Sequence, residues 1–154
     1  MCKTKTREAQ VFLRQLKKLD SMITNKLIEK EQWKALALGT TAQSGGERVQ
    51  SSGSQQKMAD AVNRYIDIEK EIDACVDRLV DTKKDVIHVI EQLDATEYDL
   101  LHKVYVQYIT LEDVAEIYEK SYSWATSAHG RALVNVQRIL DSRNNNRKQI
   151  ESKA

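Results

Sequence analysis

The stretch TLEDVAEIYEKSYSWATSAHGRAL, Thr110 to Leu133, decides the fold of the chain. Thr110 stands before a run of helically spaced apolar residues, and Asp113 follows three positions later. The threonine hydroxyl is therefore expected to cap a helix, in a capping box with Asp in place of the usual Glu. Leu111, Val114, Ala115 and Tyr118 share the side that faces a core. The pattern breaks at Glu119 and Lys120, and Ser121 caps the next helix. A short helix, a turn of three or four residues and a longer basic helix make a helix-turn-helix, and Ala115 has the small size that its close crossing requires.

The longer helix carries two unlike faces. At about 100° per residue, Ala125, Ala128, His129, Ala132, Val136 and Ile139 point inward. Ser123, Ser127, Gly130 and Val134 fall opposite them, flanked by Thr126, Arg131 and Arg138. A glycine inside a helix costs roughly 1 kcal/mol relative to alanine, so Gly130 wants a reason. A face of Ser, Thr and Gly lets the helix backbone come close to another surface, and arginines at its edge reach phosphates or guanine. Ser123, Thr126, Ser127, Gly130, Arg131 and Arg138 are the candidate DNA-binding residues, with Arg143 a further phosphate contact.

Upstream, Asp94 to Tyr108 reads as one helix with Leu100, Leu101, Val104, Tyr105 and Tyr108 on its apolar face. From Met58 the positions Val62, Tyr65, Glu69, Ile72, Val76, Leu79, Lys83, Val86, Ile90 and Leu93 alternate by four and three, a coiled-coil seam of roughly five heptads. A first helix over about Thr6 to Ala37 offers Phe12, Leu16, Leu19, Ile23 and Leu27. One seam cannot bury itself, so these two helices are expected to form an antiparallel hairpin of about 50 Å.

Half of the 16 residues from 39 to 54 are Gly or Ser, which reads as a flexible loop. Within it Arg48 and Gln50 are candidates for a loop contact. The expected fold is all-α: a coiled-coil-like N-terminal helical hairpin over 1–93, a helix-turn-helix over 94–140 and a polar tail over 141–154.

A net charge of +1 conceals segregation. Residues 1–37 carry 9 basic against 4 acidic side chains and residues 38–93 carry 7 against 10. Residues 94–120 carry 2 against 7, and residues 121–154 carry 6 against 2. The chain of 154 residues has no proline and 5 glycines, so most of it can run as uninterrupted helix. Cys2 and Cys75 form neither a metal spacing nor a disulfide framework, and no apolar run spans a bilayer, so a reducing cytoplasm is the expected compartment. His88, His102 and His129 share no helix face, and there is no phosphate-binding loop or nucleophile motif. Neither an enzyme nor a cofactor or metal is expected. Glu69, Glu71, Asp73 and Asp77 read as solvated flanks, and Trp33 and Trp124 as core or contact residues.

The residues from Leu100 to Leu133 resemble the C-terminal helix-turn-helix, region four, of sigma factors, as carried by small phage-encoded regulators of the autolysin regulatory protein and late-gene activator type. In that family a Leu-Leu helix, a Thr/Ser-capped helix ending in Ala and a Ser-capped recognition helix ending in Arg-Ala-Leu follow one another. Leu100 and Leu101, Thr110 and Ala115, and Ser121 with Arg131 to Leu133 occupy those places. GERVQSSGS followed by KMADAV is similar to the phage and prophage subgroup, and the resemblance covers roughly residues 7 to 140. Glu119 stands where the family often has glycine.

The resemblance implies a DNA-binding transcription regulator of phage or prophage origin. Its partners would be double-stranded DNA and RNA polymerase, the latter against the acidic helices, with the hairpin serving for homo-oligomerisation or polymerase docking. Two other expectations stay open: a structural or assembly adaptor that uses the hairpin, and a small terminase-like packaging protein.

Overall fold

The computed structural model describes residues 5–39 and 52–153. These contain helices and no strand: α1 (Arg7–Ala37), α2 (Ser52–Ile90), α3 (Ala95–Leu101), a π-helical turn (His102–Val106), α4 (Leu111–Ile117) and α5 (Tyr122–Glu151). The all-α expectation holds. No described helix is long and apolar enough to cross a membrane. Arg48 and Gln50 lie outside the described residues.

Three side-chain caps set where α3, α4 and α5 begin. Asp94 accepts from the Glu97 amide at 2.8 Å, Thr110 from the Asp113 amide at 3.2 Å and Ser121 from the Trp124 amide at 3.1 Å. Each satisfies a donor that a helix N-terminus leaves unpaired. The Asp113 carboxylate also accepts from the Thr110 hydroxyl at 2.8 Å, so this box closes side chain to side chain. α4 ends in a Schellman motif: the Lys120 amide donates to Ala115 and the Glu119 amide to Glu116, with Glu119 left-handed at φ 54.

Two compact units divide the chain, one formed by the segment up to Lys18 with that from Val80 onward, the other by Leu19–Leu79. In the first unit the start of α1 belongs with α5, where Gln137 accepts from the Ala9 amide at 3.0 Å and donates to Glu8 at 3.1 Å. Its core takes Ala9, Leu13 and Leu16 from α1, Val86, Val89 and Ile90 from α2, and Leu100, Leu101 and Tyr105 from α3 and the π turn. Val114 and Ala115 add to it from α4, and Ala125, Ala128, Ala132, Leu133 and Val136 from α5.

In the second unit Lys26 pairs with Glu71 at 2.5 Å, Lys30 with Glu69 at 2.7 Å, and Arg64 with Glu29 at 3.0 Å. Rising positions on α1 meet falling positions on α2, so these segments run in opposite directions. Leu19, Ala61, Ile68 and Cys75 are its buried residues.

Several local expectations need correction. The α2 seam is Ala61, Tyr65, Ile68, Ile72, Cys75, Leu79, Thr82, Val86 and Val89, one residue earlier than read at Val62, Glu69, Val76 and Lys83, while Ile90 is buried as read. Val62, Val76 and Lys83 are exposed. The displaced register carries no charged residue, whereas the expected one had to accommodate Glu69 and Lys83. On α1, Leu13 is buried, Phe12 is half-buried and Leu27 is exposed. α2 begins at Ser52, inside the stretch read as loop, and α5 continues to Glu151, through the residues read as a tail.

The helix from Asp94 does not reach Tyr108 as α-helix. The π turn widens it, the Ile109 amide donates back to Lys103 at 2.9 Å, and Tyr108 adopts φ 59, which turns it out to 38% exposure. Glu69 and Glu71 are ion-paired rather than merely solvated, while Asp73 and Asp77 are exposed. Trp33 is half-buried and donates to Glu29 at 3.2 Å.

The left-handed Glu119 generates a stability prediction. A residue with a Cβ costs roughly 1–2 kcal/mol in this conformation, and glycine in turn loses about 0.4–1 kcal/mol through its greater unfolded-state freedom. Glu119→Gly is expected to stabilise the protein by about 0.5–1 kcal/mol in denaturant melts. A lower midpoint for the variant would mean that the side chain contributes more than the backbone costs.

Candidate nucleic-acid interface

α5 is held by its alanine side. Ala125 and Ala132 are fully buried and Ala128 nearly so, with Leu133 and Val136 extending the contact and His129 and Ile139 half-buried at its margins. Small side chains on this face let α3 and α4 pack directly on α5. Leu133 belongs to the core although the wheel did not place it there.

The opposite face is open to solvent. Ser123, Ser127, Arg131 and Arg138 are exposed, as is Val134, while Thr126 and Gly130 are half-buried. The Thr126 hydroxyl donates to the Ser123 carbonyl at 3.0 Å, which draws it against the helix and lowers the profile of the face. Among the described residues a Cβ placed on Gly130 meets nothing within 4 Å, so their packing does not require glycine there.

The arginines differ in what they are free to do. Arg131 has no ion-pair partner among the described residues, and Arg138 donates to the Asn135 side-chain carbonyl at 3.1 Å. Arg143 is bound to Asp85 at 2.7 Å, so it is not a spare phosphate contact. Asn135 is itself fixed by two bonds to the Glu97 carboxylate at 2.9 and 3.0 Å, tying the first turn of α3 to α5. Asp94 and Glu97 line a recess with Trp124 and Arg131, so carboxylates stand next to that arginine.

Two hydrogen-bonded clusters set the pose of α5 from behind. The Tyr118 hydroxyl donates to Asp99, which also accepts from Lys103 at 2.6 and 2.7 Å, and the Tyr118 ring lies 5.3 Å from that of Trp124. Lys103, and then Tyr118, hold the Asp99 carboxyl below its ordinary range. Burial, reinforced by Asp99, pushes the Tyr118 phenol up to about 12. On the other side His129 Nε2 and the Tyr105 hydroxyl are 2.9 Å apart with their rings stacked. Burial, with a smaller push from Arg14, lowers the His129 pKa and favours the neutral imidazole.

Ser123, Thr126, Ser127, Gly130, Arg131 and Arg138 thus all lie along the outward part of one helix. The sequence reading missed Asn135, Glu97 and the Arg143–Asp85 pair. The Lys103–Asp99 pair has i,i+4 spacing and could have been found; the others join residues at least 19 positions apart and leave no local signal. Comparison of the chain with family models, curated proteins and solved structures gives no match.

The neutral His129 generates a pH dependence. Its contribution to stability is fully present above the unfolded value near 6.5 and is lost as pH falls through the lowered folded value. Urea midpoints are therefore expected to drop between about pH 7.5 and about pH 5, and His129→Gln should flatten that drop. An equal drop in the variant would place the titrating group elsewhere.

Proposed function

We propose that this chain is a DNA-binding transcription regulator of phage or prophage origin, similar to sigma-factor region four. In this reading α4, the turn at Glu119 and α5 act as a helix-turn-helix that presents α5 to the major groove of double-stranded DNA. The observation that carries the reading is the asymmetry of α5. One side is buried through alanines, while the other is kept low by Ser123, Thr126, Ser127 and a Gly130 that the packing of the described residues does not need. A low face lets the backbone approach base edges, and Arg131 and Arg138 reach phosphates from its margin.

RNA polymerase is the second proposed partner, against the acidic residues of 94–120, and the antiparallel pair made by α1 and α2 is read as a helical hairpin that brings partners together. The protein is expected to act in the cytoplasm, without a cofactor and without catalysis. One observation favours an assembly adaptor, or a terminase-like packaging protein, instead: Asp94 and Glu97 beside Arg131 repel phosphate and weaken the approach of DNA at that point.

Selection from random duplexes at moderate salt, with the full chain, tests the reading. An enriched sequence is expected, and affinity should fall with salt at a slope of about −0.9 per phosphate neutralised. Arg131→Ala is expected to weaken binding by about tenfold or more, and Arg143→Ala much less, because Arg143 already serves Asp85. Ser127→Gln should leave melting unchanged and weaken binding. Absence of any enriched sequence, with background affinity, would support the adaptor.

A further inference from the structure

In the first unit the start of α1 and the second half of α5 are joined by the bonds of Gln137 to the Ala9 amide and to Glu8. Next to that junction they leave an open recess of about 620 Å³, within the size range of small-molecule sites. Two helical stripes line it. Arg7 and Val11 follow one another by one turn along α1, with Phe12 beside them, and Leu140, Arg143 and Arg147 do the same along α5. Phe12 and Leu140 are half-buried, whereas Val11 is 59% exposed and would gain by being covered.

Charge in the recess is unbalanced. Asp85 of α2 neutralises Arg143 at 2.7 Å, but Arg7 and Arg147 make no ion pair or hydrogen bond among the described residues. The other carboxylate, Glu8, accepts from Gln137. Three guanidiniums against two carboxylates leave an excess of one positive charge. Neither free arginine supports the helix that carries it. Arg7 stands in the first turn of α1, where the helix dipole disfavours a cation, and Arg147 follows Arg143 by four positions, a repulsive spacing for like charges.

We propose that this recess binds a small organic monocarboxylate, its head taken by Arg7 and Arg147 and its apolar body covering Val11, Phe12 and Leu140. An arginine fork matches a carboxylate through two parallel N–H···O bonds, and one negative charge cancels the excess. None of the lining residues belongs to the outward face of α5, so the proposal stands apart from DNA binding by that face.

Titration calorimetry of the full chain with naphthoate is the test, with naphthol as the body without the charge and acetate as the head without the body. Naphthoate is expected to bind about tenfold or more tightly than either. Arg147→Ala should weaken naphthoate binding by about tenfold or more and Val11→Gln by about threefold or more, with melting unchanged because both residues are exposed. Should Arg147→Ala melt early, Arg147→Lys carries the comparison, since it keeps the charge and loses the fork. Lys57→Ala, which removes an exposed charge from the other unit, should leave binding as it is. No binding of naphthoate at millimolar concentration would overturn the proposal, and so would equal affinity for naphthoate and naphthol. Binding indifferent to Arg147, or weakened equally by Lys57→Ala, would reduce the site to general attraction between charges and overturn it too. Tighter binding of naphthyl phosphate than of naphthoate would refute the match to a single negative charge.

Discussion

The close contact made by Ala125, Ala128 and Ala132 is the constraint on which the first unit rests. These residues are fully or almost fully buried, and larger side chains would push α5 away from α3 and α4. Leu133 and Val136 add buried apolar surface on the same helix. The separation set by the alanines also decides the reach of the polar links, because Asn135 meets Glu97 and His129 meets Tyr105 only at that approach.

The turn before α5 obeys a second constraint, set by the backbone. A Schellman end on α4 demands a left-handed residue, and the chain supplies Glu119 rather than glycine. The cost is offset by the neighbouring cluster, in which Tyr118 is anchored to Asp99 and its ring lies tilted against that of Trp124. Lys103 completes the anchor and neutralises the carboxylate, so the residue that closes α4 is fixed to the helix two elements earlier. The angle at which α5 leaves the turn thus follows from side chains distant in sequence.

Much of this was legible in the sequence, and the failures have physical causes. The caps Thr110 and Ser121 could be read because capping is decided within four residues. The two faces of α5 could be read because alanine against serine and arginine makes an unambiguous wheel. The α2 register could not, because large apolar residues drew the seam to Val62 and Val76, while the buried positions hold the small Ala61 and Cys75. Large side chains at the edge of a two-helix contact stay exposed, and small ones at its centre disappear from water. The outward end of Tyr108 was hidden for another reason: a π turn changes the period that a helical wheel assumes. The pairing of Arg143 with Asp85 joins residues 58 positions apart and has no local signature.

The composition of α5 links its outer face to its inner one. Ser123, Thr126, Ser127 and Gly130 are weaker helix formers than alanine, so the stretch carrying the candidate contacts has little intrinsic reason to be helical. Burial of the alternate alanines supplies that reason, and the Ser121 cap supplies the start. An extended or frayed segment would scatter the same side chains and bring Arg131 and Arg138 off a common edge. Under the proposed reading the groove-facing surface therefore exists only while the alanine face is packed, and destabilising the core beneath α5 removes the surface without altering any residue on it.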